Sequence, residues 1–133
     1  MPSFLYFEDD PLSRKVMQLL LTKKLGYTDV TILENSHDYL TKIRALPYKP
    51  DIIFVDIHMQ PYNGFEVLKG IRDTEAFIGT KIVAITASVM SEEVELLRVA
   101  GFDGVIGKPI TSNTFHELLT RIIEGDKVWR PTS

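Results

Sequence analysis

The 133-residue sequence contains no cysteine, which excludes disulfides, thiolate metal sites and cysteine nucleophiles. It has no excess of basic residues: 15 Lys and Arg stand against 18 Asp and Glu, a net charge of -3. The clustered positive charge behind nonspecific nucleic-acid binding is therefore missing, and no nucleic-acid partner is expected. The N-terminus, Met1-Pro2-Ser3-Phe4, lacks a basic segment followed by a long apolar one. Without a secretion signal or a membrane span, cytoplasmic residence with no membrane partner is expected. Internal repeats and low-complexity tracts are absent as well. What remains, 44% apolar and 25% charged residues, is the composition of an ordinary globular protein. A chain of this length makes one domain that buries roughly two thirds of its unfolded surface.

The organising stretch is Ile52-Ile53-Phe54-Val55-Asp56, an apolar run that ends in one carboxylate. Runs without polar alternation fit strands covered on both faces, as in a parallel sheet flanked by helices. Similar runs at Phe4–Phe7, Val30–Leu33 and 82–86, with a weaker one at Gly104–Gly107, predict five strands. Between them lie helical signals. Asp10 and Pro11 open a helix with Leu12, Val16, Leu19 and Leu20 as its apolar stripe and Gly26 as its stop. Ser36 is read as the cap of a helix carrying Leu40 and Ile43, ended by Leu46 because Pro47 follows. Phe65, Val67, Leu68 and Ile71 mark a third helix, with Gly70 inside it at a cost of about 1 kcal/mol. Val94, Leu97 and Ala100 mark a fourth, and Phe115, Leu118, Leu119, Ile122 and Ile123 a fifth. Residues 125–133 read as a tail, with Trp129 packing on the last helix.

Alternating strands and helices imply a doubly wound parallel α/β sheet with right-handed crossovers. All strands then point one way, and Glu8-Asp9, Asp56, Thr86 and Lys108, each just past an apolar run, share the carboxyl edge where such sheets bind ligands. If the strand order is 2-1-3-4-5, strands one and three adjoin there. Three carboxylates roughly 5 Å apart repel by about 3 kcal/mol a pair at an effective dielectric near 20, about 10 in total. That is comparable with a domain's whole stability of roughly 5 to 15 kcal/mol. Lys108 supplies one offsetting charge, and an oxygen-only ligand set suits Mg²⁺, which draws phosphate oxygens. Asp56 could then attack phosphorus, with Lys108 and the Thr86 hydroxyl on the transferring oxygens.

These residues, with the Pro50-Asp51 lead-in, Gly64 eight positions past Asp56, Thr86-Ala87 and Lys108-Pro109, make residues 4–124 resemble a response-regulator receiver domain of two-component signalling. The resemblance implies a five-stranded flavodoxin-like sheet of order 2-1-3-4-5, a receiver over residues 1–124 and a tail over 125–133. Asp56 would accept a phosphoryl group from a sensor histidine kinase or histidine phosphotransfer protein. Mg²⁺ would be held by Asp9, Asp56 and the backbone carbonyl of His58, with Glu8 acting through metal-bound water. Lys108 would pair with Asp56 or its phosphate, before a cis bond to Pro109. Ala87 would leave the pocket accessible, and His58 and Ser88 would tune the phosphate's lifetime. Two positions depart from the family pattern. Gln60 separates Met59 from Pro61, which implies an altered turn, and Val105 stands where a Tyr or Phe usually couples to the threonine.

The expected role is a stand-alone switch that is not itself an enzyme and signals through an unidentified downstream protein. A phosphorylation-independent docking module is the alternative. A Mg²⁺-dependent aspartyl-phosphate phosphatase would need a second Asp where His58 stands, and a flavin carrier would need a Ser/Thr/Gly phosphate loop where Glu8-Asp9-Asp10 lies.

Overall fold

In a computed structural model, which describes residues 1–129, each apolar run forms a strand: β1 (Phe4–Phe7), β2 (Val30–Leu33), β3 (Ile52–Asp56), β4 (Lys81–Thr86) and β5 (Gly104–Gly107). All pair in parallel, in the order β2-β1-β3-β4-β5. The expected doubly wound sheet is therefore what the chain adopts. Its helices are α1 (Pro11–Gln18), α2 (Tyr39–Arg44), α3 (Gly64–Arg72), α4 (Ser91–Ala100) and α5 (Ser112–Ile123).

Alternate strand residues face opposite layers. Phe4, Tyr6, Ile52, Phe54, Val83, Ile85 and Ile106 pack with Met17, Leu20 and Leu21 and with α5 through Phe115, Leu118, Leu119 and Ile122. Leu5, Phe7, Ile53, Val55, Ile82, Ala84 and Val105 pack with α2, α3 and α4 through Ile43, Val67, Leu68, Ile71, Val94 and Leu97. Burial on both faces is what the unbroken apolar runs require.

Local signals hold where they are strongest. Asp10 caps α1, its carboxylate accepting from the Ser13 backbone N–H at 2.8 Å, and Pro11 occupies the first turn. Asn63 and Glu66 form a reciprocal capping box at the start of α3. Gly70 is explained by packing: a Cβ there would run into the Tyr39 ring and hydroxyl.

Several expectations are corrected. Ser36 caps no helix; α2 begins after Asp38, which adopts left-handed geometry, and it ends at Arg44. Leu12 and Leu19 are exposed, whereas Met17, Leu20 and Leu21 are buried. Leu12 and Leu19, seven positions apart, share the outward face, and the core face runs through Met17, Leu20 and Leu21 into the π-helix at Leu19–Lys24 that continues α1. Ala100 and Ile123 are likewise exposed. The segment after α5 is not a free tail within the described residues. Val128 is buried and bridges Gly104, and Trp129 packs against the layer containing Val105 rather than against the α5 layer. Residues 130–133 of the expected tail lie outside the described residues.

Candidate functional site

The register pairs Phe7 of β1 with Val55 of β3, so the next residues, Glu8 and Asp56, emerge side by side at the carboxyl edge. Carboxylate oxygens of Glu8, Asp9 and Asp56 all lie within 4.8 Å of one another. Glu8 and Asp56 are buried, and Asp9 is exposed. Lys108, just past β5, reaches between the two buried acids: its Nζ is 2.8 Å from Asp56 Oδ2 and 2.7 Å from Glu8 Oε1. Its backbone N–H donates to the Thr86 carbonyl at 2.8 Å, which fixes the root of that side chain to the end of β4. Thr86 is buried at that strand end, and its hydroxyl oxygen accepts the Ser88 backbone N–H at 3.1 Å. The loop after β3 bends back so that the His58 N–H donates to Asp56 Oδ1 at 2.9 Å, while the His58 residue is exposed. Ala87, which follows Thr86, is exposed. Of the positions singled out in the sequence, Glu8, Asp9, Asp56 and Lys108 form one cluster, with Thr86 on the adjoining strand end.

Glycine makes this approach possible. A Cβ on Gly64 would lie 2.9 Å from the Ile57 Cα and 3.2 Å from the Asp56 carbonyl oxygen, so only Gly lets α3 begin this close to the loop. The bond between Gln60 and Pro61 is cis, as is that between Lys108 and Pro109.

Protonation is divided unequally between the buried acids. Burial, followed by the Asp56 carboxylate at hydrogen-bonding distance, pushes Glu8 up to about 7. Burial also pushes Asp56 upward, but hydrogen bonds from Glu8, Lys108 and the His58 N–H outweigh it and hold Asp56 below the usual carboxylate range. The proton of the pair therefore resides on Glu8 while Asp56 stays anionic. Burial lowers the Lys108 ammonium's pKa, yet Asp56 and Glu8 overcome this and keep it raised and charged.

Three contributors escaped the sequence reading. Tyr6 donates its hydroxyl to Glu8 Oε1 at 2.5 Å from within the core; its position two residues before Glu8, on the same strand face, was the available signal. Arg14 Nη1 donates to the carbonyls of Glu8 at 2.9 Å and Asp9 at 2.8 Å, pinning the acidic turn from α1. Buried Ser36 holds the loop after β3: its hydroxyl donates to the Tyr62 carbonyl at 2.7 Å and accepts the Tyr62 N–H at 2.8 Å. Its own N–H donates to the Gln60 carbonyl at 3.1 Å.

Comparison with known proteins agrees with this geometry. A family model described as the response regulator receiver domain matches residues 4–120. The chain is 31% identical over 120 residues to the probable C4-dicarboxylate response regulator DctR of Halalkalibacterium halodurans, covering 90% of this chain and 50% of that protein. It is 35% identical over 120 residues to hybrid signal transduction histidine kinase A of Dictyostelium discoideum, covering 88% of this chain and 5% of the kinase. The chain thus spans half or less of the length of these curated relatives. Among solved structures, the chemotaxis response regulator CheY4 of Vibrio cholerae superposes with a TM-score of 0.81 at 24% identity, covering 92% of this chain and 98% of that one. The receiver domain of sensor histidine kinase PA1611 from Pseudomonas aeruginosa, solved with a magnesium ion coordinated in its active site cleft, gives 0.77 at 23% identity, covering 94% and 100%. At these identities the structural likeness is one of fold.

Proposed function

The chain belongs to the response regulator receiver domain family of two-component signalling, and on that premise we propose that Asp56 is the phosphoacceptor of a Mg²⁺-dependent signalling switch. The observation that carries this reading is the convergence at one sheet edge of an anionic, buried Asp56, a Lys108 ammonium 2.8 Å away and two further carboxylates. An Asp56 Oδ attacks the phosphorus of a phosphohistidine or acyl phosphate, an O–P bond forms, and the bond to the leaving nitrogen or oxygen breaks with its electron pair. No deprotonation of the nucleophile is needed, because Lys108 and the His58 N–H help hold Asp56 below the usual carboxylate range. Lys108 neutralises the incoming phosphoryl oxygens, and the Thr86 hydroxyl hydrogen-bonds one of them, a role supported by its place at the end of the strand beside β3.

The donor set fits Mg²⁺: the carboxylates of Glu8, Asp9 and Asp56 have oxygens within 4.8 Å of one another, an oxygen-only set of the kind that ion takes. Asp9, Asp56 and the main-chain carbonyl of His58 would hold the ion, and Glu8 would act through water. When bound, the ion screens the acids from the phosphoryl group and stabilises its oxygens. The receiver comprises residues 1–124. Its phosphoryl donor is a sensor histidine kinase or a histidine phosphotransfer protein, and its output is a protein contact with a downstream target. Cytoplasmic residence is proposed with this role; among the described residues no helix is long and apolar enough to cross a membrane.

Incubation with Mg²⁺ and a small acyl phosphate, followed by intact-protein mass measurement, tests the proposal. One added phosphoryl group is expected on the wild type and none on Asp56→Asn. Equal addition to both, or none to the wild type, refutes it.

A further inference from the structure

β1 turns Tyr6 into the layer under α5, where it is fully buried among Phe, Leu, Ile, Val and Met side chains and meets Phe54 edge to face, ring centres 6.2 Å apart. A phenylalanine would fill that space equally well, as Phe4 and Phe54 do beside it. The hydroxyl therefore adds nothing to the packing. A buried phenol needs a hydrogen-bond partner, and this one donates to Glu8 Oε1 at 2.5 Å, two residues along the same strand face. Burial, with Glu8 beside it, holds the Tyr6 hydroxyl well above its ordinary range, so it stays protonated and remains a donor.

Glu8 Oε1 takes two donors at once, the Tyr6 hydroxyl and the Lys108 ammonium at 2.7 Å. Glu8 Oε2 accepts the Asp10 N–H at a longer 3.2 Å. The ammonium is shared, since it also lies 2.8 Å from Asp56 Oδ2. A phosphoryl group on Asp56 would place about two negative charges beyond the present carboxylate, and the ammonium is then drawn outward, away from Glu8. Ionised Glu8, the form a cation in the cradle requires, has no exposed surface through which water could replace that donor. A buried carboxylate stripped of its donors is costly. The Tyr6 ring is closed in by the core and has no exposed surface either, so its hydroxyl cannot follow Lys108 and stays on Oε1.

We propose that Tyr6 is a positioning residue for phosphoryl transfer to Asp56: its hydroxyl holds Glu8 Oε1 and keeps it satisfied while the Lys108 ammonium passes from Glu8 to the phosphoryl oxygens. Without that hydroxyl, Lys108 would be the one side-chain donor to Oε1 among the described residues, and Glu8 would retain it. This role rests on the reading of Asp56 as phosphoacceptor and deepens it.

Tyr6→Phe keeps the ring and removes the hydroxyl alone. At saturating Mg²⁺, its phosphorylation by a small acyl phosphate, followed by intact-protein mass, should be slower than that of the wild type by about 10-fold or more, the rate equivalent of one hydrogen bond to a charged group. Mg²⁺ affinity measured by calorimetry should stay near the wild-type value, because the ammonium moves as the phosphoryl group arrives and not before. In Lys108→Met, which has no ammonium to hand over, adding Tyr6→Phe should slow the remaining reaction by no more than about 2-fold. A hydroxyl that merely stiffened the end of β1 would slow both backgrounds alike. The Tyr6 hydroxyl proton, assigned by NMR in protein with labelled tyrosine, gives a reading free of turnover: its downfield resonance should persist when beryllium fluoride, a phosphoryl stand-in, loads Asp56 with Mg²⁺. Equal rates for Tyr6→Phe and a wild type that does take up a phosphoryl group overturn this proposal alone. So do equal slowing in the Lys108→Met background and loss of the hydroxyl resonance on loading. A wild type that takes up no phosphoryl group overturns the phosphoacceptor reading, and this role with it.

Discussion

Removing the Lys108 charge gives a direct test of how the acid pair is held. At an effective dielectric of about 20, its contacts of 2.7 Å to Glu8 and 2.8 Å to Asp56 are each worth about 6 kcal/mol in gross attraction. Opposing this, the buried Glu8 and Asp56 carboxylates, with oxygens within 4.8 Å, repel by at least about 3.5 kcal/mol when both are ionised. Exposed Asp9 adds pairs that water weakens to about 1 kcal/mol each. In Lys108→Met the attraction vanishes and the repulsion stays. A buried acid in that position takes up a proton rather than bear the full cost. Glu8, already at about 7 and held down in part by Lys108, must therefore titrate higher still.

This converts into a stability profile whose sign follows from linkage. Glu8 has a folded pKa above its unfolded value of 4.5, so between the two values the folded state binds more protons, and stability falls as pH rises. In the wild type that loss ends near pH 7. In Lys108→Met it continues above pH 7 at up to about 1.4 kcal/mol per pH unit. Urea unfolding followed by circular dichroism, with a chelator present, should show the two proteins diverging by about 2 to 3 kcal/mol between about pH 7 and pH 9. Adding Glu8→Gln to the variant should flatten its profile. A gap that stays constant over that range, or a slope that survives Glu8→Gln, would refute the assignment of the shared proton to Glu8.

Because a proton on Glu8 competes with a cation in the same cradle, Mg²⁺ affinity measured by calorimetry should weaken as pH falls through about 7, with protons released on binding. Ser36→Ala removes the hydroxyl that both donates to and accepts from Tyr62, and should cost about 1 to 3 kcal/mol in urea unfolding. It should also weaken Mg²⁺ binding, since the loop it holds carries the His58 carbonyl. Gly70→Ala brings a methyl group against the far end of the half-buried Tyr39 ring, which must swing aside, so the gain of about 1 kcal/mol expected from Ala as the better helix former should be offset and urea unfolding little changed.

The sheet and most of the site were legible because their signals are local. Each buried strand is a short apolar run, and the chemically useful residue is the first polar one after it, so strand direction alone places Glu8, Asp56, Thr86 and Lys108 at one edge. What stayed hidden depends on contacts distant in sequence or on small changes of helical phase. Ser36 has the residue type of a helix cap, and only its partner 26 positions away reveals a loop anchor instead. Leu19 and Leu12 fit a regular helical stripe, but both lie on the outward face, while Met17, Leu20 and Leu21 carry the core face. Val128 and Trp129 follow a helix stop and a charged turn, which reads as a tail until their pairing with β5 is seen. Gly70 looked like a weakness in α3 because its neighbour Tyr39 lies on another helix.

The acid cluster is held by what lies beneath it, and this predicts that one of its members stabilises nothing. Drawing the ends of β1 and β3 apart would open Phe7 and Val55, registered neighbours that are fully buried. Exposing them would cost roughly 1.5 to 3 kcal/mol each, against about 3.5 kcal/mol of Glu8–Asp56 repulsion that the Glu8 proton and Lys108 already relieve. The sheet therefore wins and keeps the carboxylates close whether or not a cation binds. Asp9 has no such compensation: it adds screened repulsion of about 1 kcal/mol to each of the other two, and among the described residues it forms no ion pair of the kind Lys108 makes with Asp56 and Glu8. Asp9→Asn should accordingly raise the Tm of the metal-free protein, by an amount corresponding to about 1 kcal/mol once side-chain freedom is discounted, while reducing the further rise that Mg²⁺ produces. Activity and stability then trade off at a single residue, as expected where charges are gathered for a ligand. A metal-free Tm below that of the wild type, or an undiminished response to Mg²⁺, would show that Asp9 is part of the turn's own architecture instead.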